Sequence, residues 1–310
     1  MKILVVGAGG IGGYFGGRLL AAGRDVTFLV RPRRRAELAE RGLIVRSPHG
    51  DIERRNPPTA ATSEFDRPFD LILLSCKSYD LADATESFAP AVGPESAILP
   101  LLNGMTHLDT LDERFGAERV LGGQCFISAT LEDNGDVMHM NRNHTITFGE
   151  RDGSRSKRIE AVLATFSGAG VNPELSTAIV HEMWEKWVFI ATLAGITCLM
   201  RASIGGILSA DGAGITTALL EECSGIAAAG GYPPRPPSLE RARSMLFAPG
   251  STLKASMLRD MERGARTEGE HVLGELLRLA PHAPGPSSLL RLAYTHVKSY
   301  EAARAATPAR

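Results

Sequence analysis

A glycine-rich segment close to the N-terminus constrains the fold of this chain more than any other feature. The letters GAGGIG follow the apolar run KILVV directly, so that Gly7, Gly9 and Gly12 have the spacing GxGxxG. Between a strand and a helix, the first glycine permits a tight turn, the second lets the backbone approach a pyrophosphate, and the third lets helix and strand pack closely. The helix N-terminus then offers N–H groups to the phosphate. The pattern predicts a dinucleotide site, and a glycine-rich turn without a ligand is the weaker alternative.

Short apolar runs alternate with helix-like segments in the first half of the chain. The predicted strands are apolar on both faces, as strands of a parallel sheet covered by helices must be. The clearest are Lys2–Gly7, Asp25–Val30, Asp70–Lys77 and Ser96–Asn103, with further strands expected within 119–130 and 144–150. This alternation predicts a doubly wound parallel sheet.

Helical periodicity replaces the alternation after about Val171, where the extended letters NPELS precede helices separated by the proline-rich breakers YPPRPPS and PHAPGP. The predicted helices are Ile179–Met200, Ala213–Ala229, Leu239–Phe247, Leu253–Arg263, Glu268–Leu279 and Ser287–Ala305. We therefore predict an α/β N-terminal Rossmann-like domain with a parallel sheet over residues 1–173, followed by an all-α C-terminal domain over residues 174–310.

The composition argues against several classes of partner. The 310 residues carry a formal net charge of −1, so the chain has no general attraction for nucleic acid or an anionic membrane. The four cysteines are scattered without a CxxC pair, which is typical of a reducing compartment and argues against a disulfide framework or a structural zinc site. We expect no signal peptide and no stretch close to the roughly 20 apolar residues of a membrane span. The expected location is the cytoplasm.

A cluster of arginine residues follows the second predicted strand, where dinucleotide folds often carry an acidic residue. A carboxylate at the position of Arg31 would accept hydrogen bonds from ribose hydroxyls, whereas a guanidinium binds phosphate oxygens. Arg31 therefore favours NADPH over NADH. Arg33, Arg34 and Arg35 either add to the positive field or form a solvated helix start. A nucleic-acid patch is the rival interpretation, which the balanced charge of the whole chain disfavours.

Two polar residues follow predicted strands at the sheet edge where ligands of open α/β folds bind. Lys77 ends one of these strands and Asn103 ends another. An apolar strand that terminates in lysine or asparagine directs that group into the crevice, and a plain loop role is the alternative for each.

A lysine lies on an apolar face of the first helix in the second domain. Ile190 and Ala194 follow Lys186 at helical spacing, together with Phe189 and Leu193. Lys186 either extends its ammonium to water at the helix edge, or is partly desolvated with a lowered pKa and poised for proton transfer. Spacing alone leaves both open. The nearby letters HEMWE lack the second histidine of a zinc helix, so no metal site is predicted.

Five motifs together resemble one known family. GAGGIGGYFGGRLLAAG, CKSYD, LLNGM, WEKW and KASMLRDMERGARTE follow, in order and spacing, the motifs of the ketopantoate reductases (2-dehydropantoate 2-reductases), and the resemblance extends from Met1 to about Tyr300. It implies NADPH-dependent reduction of 2-dehydropantoate to pantoate, a step towards pantothenate.

The resemblance also implies roles for individual residues. The cofactor would be bound by Gly7, Ala8, Gly9, Gly10, Ile11, Gly12, Arg31, Lys77, Asn103, Ala129 and Glu268, with Arg31 on the 2′-phosphate and the segment Ser128–Ala129 beside the nicotinamide. Lys186 would be the proton donor, and Glu268 the acid that accompanies it. The substrate would meet Asn103, Lys186, Ile190, Ala194 and Ser256. Without the resemblance, Ser256 and Glu268 are typical of a mixed polar helix surface.

The chain departs from the family's pattern within this substrate set. The family usually carries asparagines four and eight residues after the lysine, where this chain has Ile190 and Ala194, and Leu273 stands where an asparagine is common. A pocket without these amides loses hydrogen-bond partners for a hydroxylated acid, and such losses change selectivity by large factors. A less polar 2-oxo acid is therefore an expected substrate besides 2-dehydropantoate.

Two alternatives remain open from the sequence. A β-hydroxyacid dehydrogenase shares the two-domain plan and the helical lysine, but its substrate-loop motif is missing here. A non-catalytic NADPH-sensing protein is the other alternative, and the joint presence of Lys186, Ser256 and Glu268 argues against it. The sequence allows a homodimer without requiring one.

Overall fold

The computed structural model describes residues 1–282 and 285–306. The chain separates into two compact units. Unit 1 comprises Met1–Leu102 and His107–Val180, and unit 2 comprises Asn103–Thr106 and the described part of His181–Arg310. The predicted breaker at 281–286 and the end of the predicted second domain lie partly outside the described residues.

Unit 1 is built on a parallel sheet. Its strands are β1 (Lys2–Val6), β2 (Asp25–Leu29), β5 (Thr59–Ala60), β6 (Phe69–Leu74) and β7 (Val92–Pro100). They lie in the order β5–β2–β1–β6–β7, and all neighbours are parallel. The order β5–β2–β1 is that of a mononucleotide-binding half of a Rossmann fold, and β6 and β7 extend it by two further parallel strands. The predicted parallel sheet is thus confirmed, although β6 and β7 each end three residues before the predicted strand does.

A second sheet accompanies the first in unit 1. Its strands are β3 (Leu43–Arg46), β4 (Ile52–Arg54), β8 (Gly122–Leu131), β9 (Val137–Gly149) and β10 (Asn172–Leu175). β9 pairs with β8 antiparallel and with β3 and β10 in parallel, while β4 closes the edge beside β3. The extended letters NPELS form β10, whereas β3 and β4 were not predicted from the sequence.

Five helices complete unit 1, and one of them lies between the two sheets. They are α1 (Gly10–Ala21), α2 (Pro32–Arg41), α3 (Leu81–Phe88), α4 (His107–Phe115) and α5 (Lys157–Phe166). A Cβ added at Gly16 of α1 would stand 2.6 Å from the Phe28 ring of the parallel sheet, and one added at Gly13 would stand 2.7 Å from Val137 of the second sheet. The glycines of α1 therefore let one helix pack closely on both sides.

A histidine cluster joins α1 to the second sheet. The Tyr14 Oη lies 2.8 Å from Nδ1 of His144, and the ring of His49 stacks on that of His144 at a centroid distance of 3.8 Å. Burial and, after it, the nearby side chains of His49, His139 and Arg18 together lower the pKa of His144 to about 4. The His144 ring is therefore neutral in the folded protein at neutral pH.

Unit 2 is helical, which confirms the predicted all-α domain. Its helices are α6 (Ile179–Met200, apart from its first two residues), α7 (Ile204–Ser209), α8 (Ala213–Ala229), α9 (Pro236–Leu246), α10 (Ser256–Glu262), a π-helix at Glu270–Gly274, α11 (Glu275–Arg278) and α12 (Leu289–Ala306). The bounds of α6 and α8 agree with prediction. The predicted helix Glu268–Leu279 instead contains the π-helix.

Helix α6 is long and apolar enough to cross a membrane, contrary to our expectation that no stretch approaches that length. It has 22 residues, and 78% of its most apolar window is buried inside the protein. Gly195 of α6 packs against Leu219 of α8 and Ala293 of α12, where a Cβ would stand 2.9 and 3.4 Å from them. This burial is the character of a core helix, so the apolar sequence of α6 is explained by the interior of unit 2.

Candidate active site

The turn between β1 and α1 has the geometry that a dinucleotide loop requires. Gly7 adopts a φ of 90°, which other residues rarely adopt. A Cβ at Gly12 would stand 2.1 Å from the Gly7 carbonyl oxygen and 2.2 Å from Ser75 Oγ. The Ser75 hydroxyl, just after β6, donates to the Val6 carbonyl at 2.9 Å. Gly12 is therefore required for the close packing of helix on turn, and Ser75 fastens the turn from the neighbouring strand.

The N-terminus of α1 is open for an anion. Gly9 is the N-cap and supplies no side-chain hydrogen bond to the first turn. A Cβ at Gly9 would meet no described atom within 4 Å, whereas one at Gly10 would stand 2.6 Å from the Ala129 carbonyl oxygen of β8. The first N–H groups of α1 thus have no side-chain competitor at the cap, and β8 borders them at Ala129. Ala8 is buried, and Ile11 is partly buried against the core.

The carboxyl ends of the parallel strands lie side by side at this turn. Val6 of β1 is in register with Leu29 of β2 and with Leu74 of β6. The chain therefore leaves neighbouring strands at the glycine loop, at Arg31 and at Lys77. Lys77 precedes a short 3₁₀ turn at Ser78–Asp80 and is partly buried. The structure thus brings these predicted cofactor residues to one edge of the sheet, where ligands of such folds bind.

Arg31 has a carboxylate partner that the sequence did not indicate. It caps α2, its side chain is 68% exposed, and its Nη2 donates to Asp80 Oδ1 at 2.8 Å. The hydrogen bond to Asp80 and then the charge of that carboxylate raise the pKa of the Arg31 guanidinium. Arg31 is therefore fully charged, and Asp80 lies where it shares the guanidinium with any bound phosphate.

The other three arginines of the cluster differ in their exposure and contacts, although Arg33 and Arg34 both pair with Glu37. Arg33 is 89% exposed on its side chain and donates to Glu37, while Arg35 donates to Glu64. Arg34 is largely buried and donates from Nε to the Ala8 carbonyl oxygen of the glycine loop at 3.1 Å. The cluster is thus not a solvated patch of four equivalent charges.

These features of unit 1 fit a dinucleotide. The open N-terminus of α1 would hold the pyrophosphate, and the exposed guanidinium of Arg31 would hold a 2′-phosphate. At Gly10 and Gly12 a side chain would clash with neighbouring atoms, whereas the space beside the backbone of Gly9 is open for a ligand.

Lys186 in unit 2 is flanked on α6 by two residues that are held firmly. Lys186 is buried, with 8% of its surface exposed. The preceding residue, Glu185, is buried and accepts from Arg235 through Nε at 2.8 Å, through Nη2 at 2.7 Å and from its backbone N at 2.9 Å. Burial raises the pKa of the Glu185 carboxyl, but the hydrogen bonds and charge of Arg235 outweigh it, so that this pKa is lowered overall. The lysine is therefore desolvated rather than extended into water.

The following residue, Trp187, connects α6 to the segment that begins at Glu268. Trp187 is fully buried, and its indole N–H donates to the Val272 carbonyl at 2.9 Å. Val272 lies in the π-helix and its N–H donates to the Glu268 carbonyl at 2.9 Å. The residue that follows Lys186 is thus held on the helical turn that begins at Glu268.

The segment Asn103–Thr106 reaches the same turn. Thr106 donates a short hydrogen bond to Glu275, and Nδ1 of His271 lies 2.8 Å from the same carboxylate. Gly104 has a φ of 78°, and a Cβ there would stand 3.1 Å from Nε2 of His271. Asn103 is therefore anchored, through its neighbours, on the turn that follows Glu268. The neighbourhoods of Lys186 and Glu268, predicted to be catalytic, and of Asn103, predicted to bind cofactor and substrate, meet within unit 2.

The predicted substrate residues Ile190 and Ala194 lie beyond Lys186 on α6, one partly buried and one buried. Ser256 is the exposed first residue of α10. The backbone N–H of the residue before it donates to Thr197 Oγ1 at 3.4 Å. Thr197 is on the same face of α6 as Lys186, about 16 Å further along the axis by helical rise. Ser256 thus belongs to the far end of this face.

Three residues near the site had not been recognised from the sequence: Ser75, Asp80 and Trp187. Arg34 was considered only as part of the positive field or of a solvated helix start. Ser75, Asp80 and Arg34 have partners distant in the chain, which no local pattern reveals. Trp187 could have been recognised, because a buried indole N–H requires an acceptor.

The fold and the glycine loop define a class, the dinucleotide-dependent oxidoreductases that join a Rossmann-like unit to a helical one. The family model described as "Ketopantoate reductase PanE/ApbA" matches residues 3–153, and "Ketopantoate reductase PanE/ApbA C terminal" matches residues 178–301. The chain therefore belongs to the ketopantoate reductase family. It is an NADP-dependent oxidoreductase acting on CH–OH groups, as members of that family are.

Several relatives resemble the chain over almost its full length. An "Uncharacterized oxidoreductase YkpB" of Bacillus subtilis is 39% identical and covers 97% of this chain and 99% of its own. A 2-dehydropantoate 2-reductase of Pyrococcus horikoshii is 30% identical over 97% of this chain and 98% of its own. The crystal structure of 2-dehydropantoate 2-reductase from Methylococcus capsulatus superposes with a TM-score of 0.87 at 26% identity, covering 99% of both chains.

Proposed function

We propose that this enzyme reduces the ketone of 2-dehydropantoate, or of a related less polar 2-oxo acid, to the 2-hydroxy acid. In this proposal residues 1–173 hold NADPH, residues 174–310 bind the acid, and the reaction takes place in the cytoplasm. The observation that carries the proposal is the meeting of the Asn103, Lys186 and Glu268 neighbourhoods on the turn Glu268–Glu275. A reductase needs these groups together at one carbonyl.

Each residue has a chemical task in the reaction. NADPH, when bound, supplies the hydride that reduces the ketone carbon. Negative charge develops on the ketone oxygen, where the Lys186 ammonium stabilises it and transfers a proton to it, so that a hydroxyl forms and the lysine is left neutral until solvent reprotonates it. Asn103 donates a hydrogen bond to the same oxygen. Glu268 keeps the ammonium oriented, and Ser256 binds the carboxylate.

The residues proposed to bind the cofactor also have separate tasks. Gly7, Ala8, Gly9, Gly10, Ile11 and Gly12 hold the pyrophosphate, Arg31 holds the 2′-phosphate, and Lys77 and Ala129 border the nicotinamide. The open N-terminus of α1 and the exposed, fully charged Arg31 support these assignments.

The substrate side supports an acid with an apolar substituent beside 2-dehydropantoate itself. Ile190 and Ala194 follow Lys186 on α6 and offer no hydrogen-bond donor or acceptor in their side chains. A hydroxyl placed against them would lose its hydrogen bonds to water without replacement, which disfavours a hydroxylated acid relative to its apolar analogue.

The test is NADPH oxidation by the wild type and by Lys186→Ala with 2-dehydropantoate and a series of 2-oxo acids with apolar side chains. We expect Lys186→Ala to lower kcat by about 10²- to 10⁴-fold, the usual contribution of a general acid, while NADPH binding is unchanged. The matched control is Lys157→Ala, which removes an exposed lysine of α5. Unchanged turnover in Lys186→Ala would remove the lysine from its role. Intact NADPH binding without turnover of any acid would instead favour a sensor.

A further inference from the structure

We infer that Arg34 is a positioning residue for the dinucleotide loop. It acts through two backbone carbonyls, one in the glycine loop and one in the hairpin that borders the N-terminus of α1. The inference depends on unit 1 binding the cofactor but not on which 2-oxo acid is reduced.

The first carbonyl belongs to the loop itself. Arg34 Nε donates to the Ala8 carbonyl oxygen at 3.1 Å. Ala8 lies between Gly7, which makes the turn, and Gly9, which caps α1. The direction of a peptide carbonyl fixes that of the N–H in the same peptide plane. Holding the Ala8 carbonyl therefore fixes the Gly9 N–H, the first donor in front of the helix.

The second carbonyl belongs to the β8–β9 hairpin. Arg34 Nη1 donates to the Gly135 carbonyl oxygen at 3.0 Å, in the tight turn where Gly135 N donates to the Glu132 carbonyl at 2.9 Å. The same hairpin carries Ala129, whose carbonyl lies so close to Gly10 that a Cβ there would stand 2.6 Å away. The guanidinium thus joins the loop to the strand that borders it.

The surroundings of Arg34 suit this task better than those of its neighbours. Its side chain is 12% exposed, and its remaining ion pair is with Glu37 at 3.2 Å on the same helix. A rigid guanidinium can hold two acceptors in a fixed relation, which a lysine ammonium on a flexible chain cannot do as well. Arg33, one position earlier, is 89% exposed and pairs only with Glu37 among the described residues.

A positioning role has a signature that a 2′-phosphate contact lacks. The pyrophosphate is common to NADPH and NADH, so loss of loop geometry weakens both cofactors alike. Loss of a 2′-phosphate contact weakens NADPH alone. The ratio of the two dissociation constants therefore separates Arg34 from Arg31.

The experiment measures the dissociation constants of NADPH and NADH by fluorescence titration of the substrate-free protein, for the wild type, Arg34→Gln, Arg34→Lys and Arg33→Gln. We expect Arg34→Gln to weaken both cofactors by about 10-fold, the loss that corresponds to one charge-assisted hydrogen bond only partly transmitted to the ligand. Arg34→Lys should recover only part of this affinity. Arg33→Gln should bind both cofactors like the wild type.

A second measurement separates positioning from general destabilisation. Hydrogen exchange of the backbone amides at Gly9 and Gly10, without cofactor, should quicken in Arg34→Gln relative to exchange in the strands of the parallel sheet. Unchanged cofactor binding in a folded Arg34→Gln would overturn the inference, as would weakening of NADPH alone or full recovery by lysine. If Arg34→Gln does not fold, the same titrations on Arg34→Lys decide, and wild-type affinity for both cofactors would again overturn it.

Discussion

The Arg31–Asp80 ion pair leads to a testable prediction about cofactor selectivity. Arg31 donates from Nη2 to Asp80 Oδ1 at 2.8 Å, and its side chain is 68% exposed. The guanidinium retains further N–H donors for a 2′-phosphate, so the carboxylate and a bound phosphate would share one cation. We predict that Arg31→Gln weakens NADPH and leaves NADH unchanged, whereas Asp80→Asn strengthens NADPH.

The magnitude follows from the exposure of the pair. A hydrogen bond to a charged group contributes about 1.5–3 kcal/mol, with the lower end appropriate at an exposed site. The Arg31–Asp80 ion pair reduces this free energy of phosphate binding. An exposed ion pair contributes about 0.2–1 kcal/mol, which the phosphate contact must replace. The net loss in Arg31→Gln is about 1–2 kcal/mol, or roughly 5- to 30-fold in the dissociation constant of NADPH. Asp80→Asn should gain at most about fivefold on the same scale.

The assay is fluorescence titration of NADPH and NADH at low and high salt. The difference between the cofactors should shrink at high salt, because the pair and the phosphate are both exposed. Arg35→Gln, which loses only a pair with Glu64, is the control on the same helix. Equal weakening of both cofactors by Arg31→Gln would refute the assignment of the 2′-phosphate to Arg31. Weaker NADPH binding in Asp80→Asn would show that Asp80 orients the guanidinium rather than competing for it.

Three further predictions concern stability and substrate. Because the pKa of His144 is lowered to about 4, the folded state binds fewer protons than the unfolded state between that pH and the ordinary histidine pKa. The free energy of unfolding should therefore fall by about 1–3 kcal/mol as the pH falls from about 6.5 to 4. His144→Asn should flatten this pH dependence, measured by urea denaturation, and an unchanged pH dependence would contradict the prediction. Arg235→Gln should lower the free energy of unfolding by about 1–3 kcal/mol at neutral pH. This loss is smaller than for a fully buried ion pair because the Arg235 side chain is 43% exposed. Because Arg235 keeps the pKa of Glu185 low, this cost should diminish as the pH falls below the ordinary carboxyl range, and an equal cost at all pH values would count against it. The double variant Ile190→Asn/Ala194→Asn should raise kcat/KM for 2-dehydropantoate roughly 10-fold relative to an apolar 2-oxo acid, with thermal stability measured alongside, and no relative gain would remove these positions from substrate selection.

The parts of the fold that local sequence determines were predictable. Helices α6 and α8 agree with their predicted bounds because periodicity and nearby turn residues mark their ends. The second sheet was predicted only in part. β3 pairs with β9 across a long stretch of chain, Val45 with Val137, and no local pattern records such a pairing. β4 is a three-residue edge strand that carries two charged residues, so its alternation is too short to recognise.

The candidate site divides in a similar way. The glycine loop was readable because each glycine there answers a local need, namely a φ of 90° at Gly7 or close packing at Gly12. The different contacts of the four arginines could not be predicted from the sequence. The hydrogen bonds to Ala8, Glu64 and Asp80 each involve a different arginine and form only in the tertiary fold. The π-helix could not be predicted for the same reason, because the hydrogen bond from the Trp187 side chain to a carbonyl of that turn joins residues 85 positions apart.

The two residues beside Lys186 on α6, Glu185 and Trp187, hold this part of the helix in place. Successive residues of an α-helix are about 100° apart around the axis, so Glu185 and Trp187 stand about 100° to either side of the lysine. Glu185 is held by three hydrogen bonds from Arg235, and Trp187 by its bond to the Val272 carbonyl. With both flanks fixed by buried contacts, α6 cannot rotate about its axis without breaking one of them. The Cα–Cβ direction of Lys186 is thereby fixed before any substrate arrives, which is the preorganisation that the proposed general acid would need.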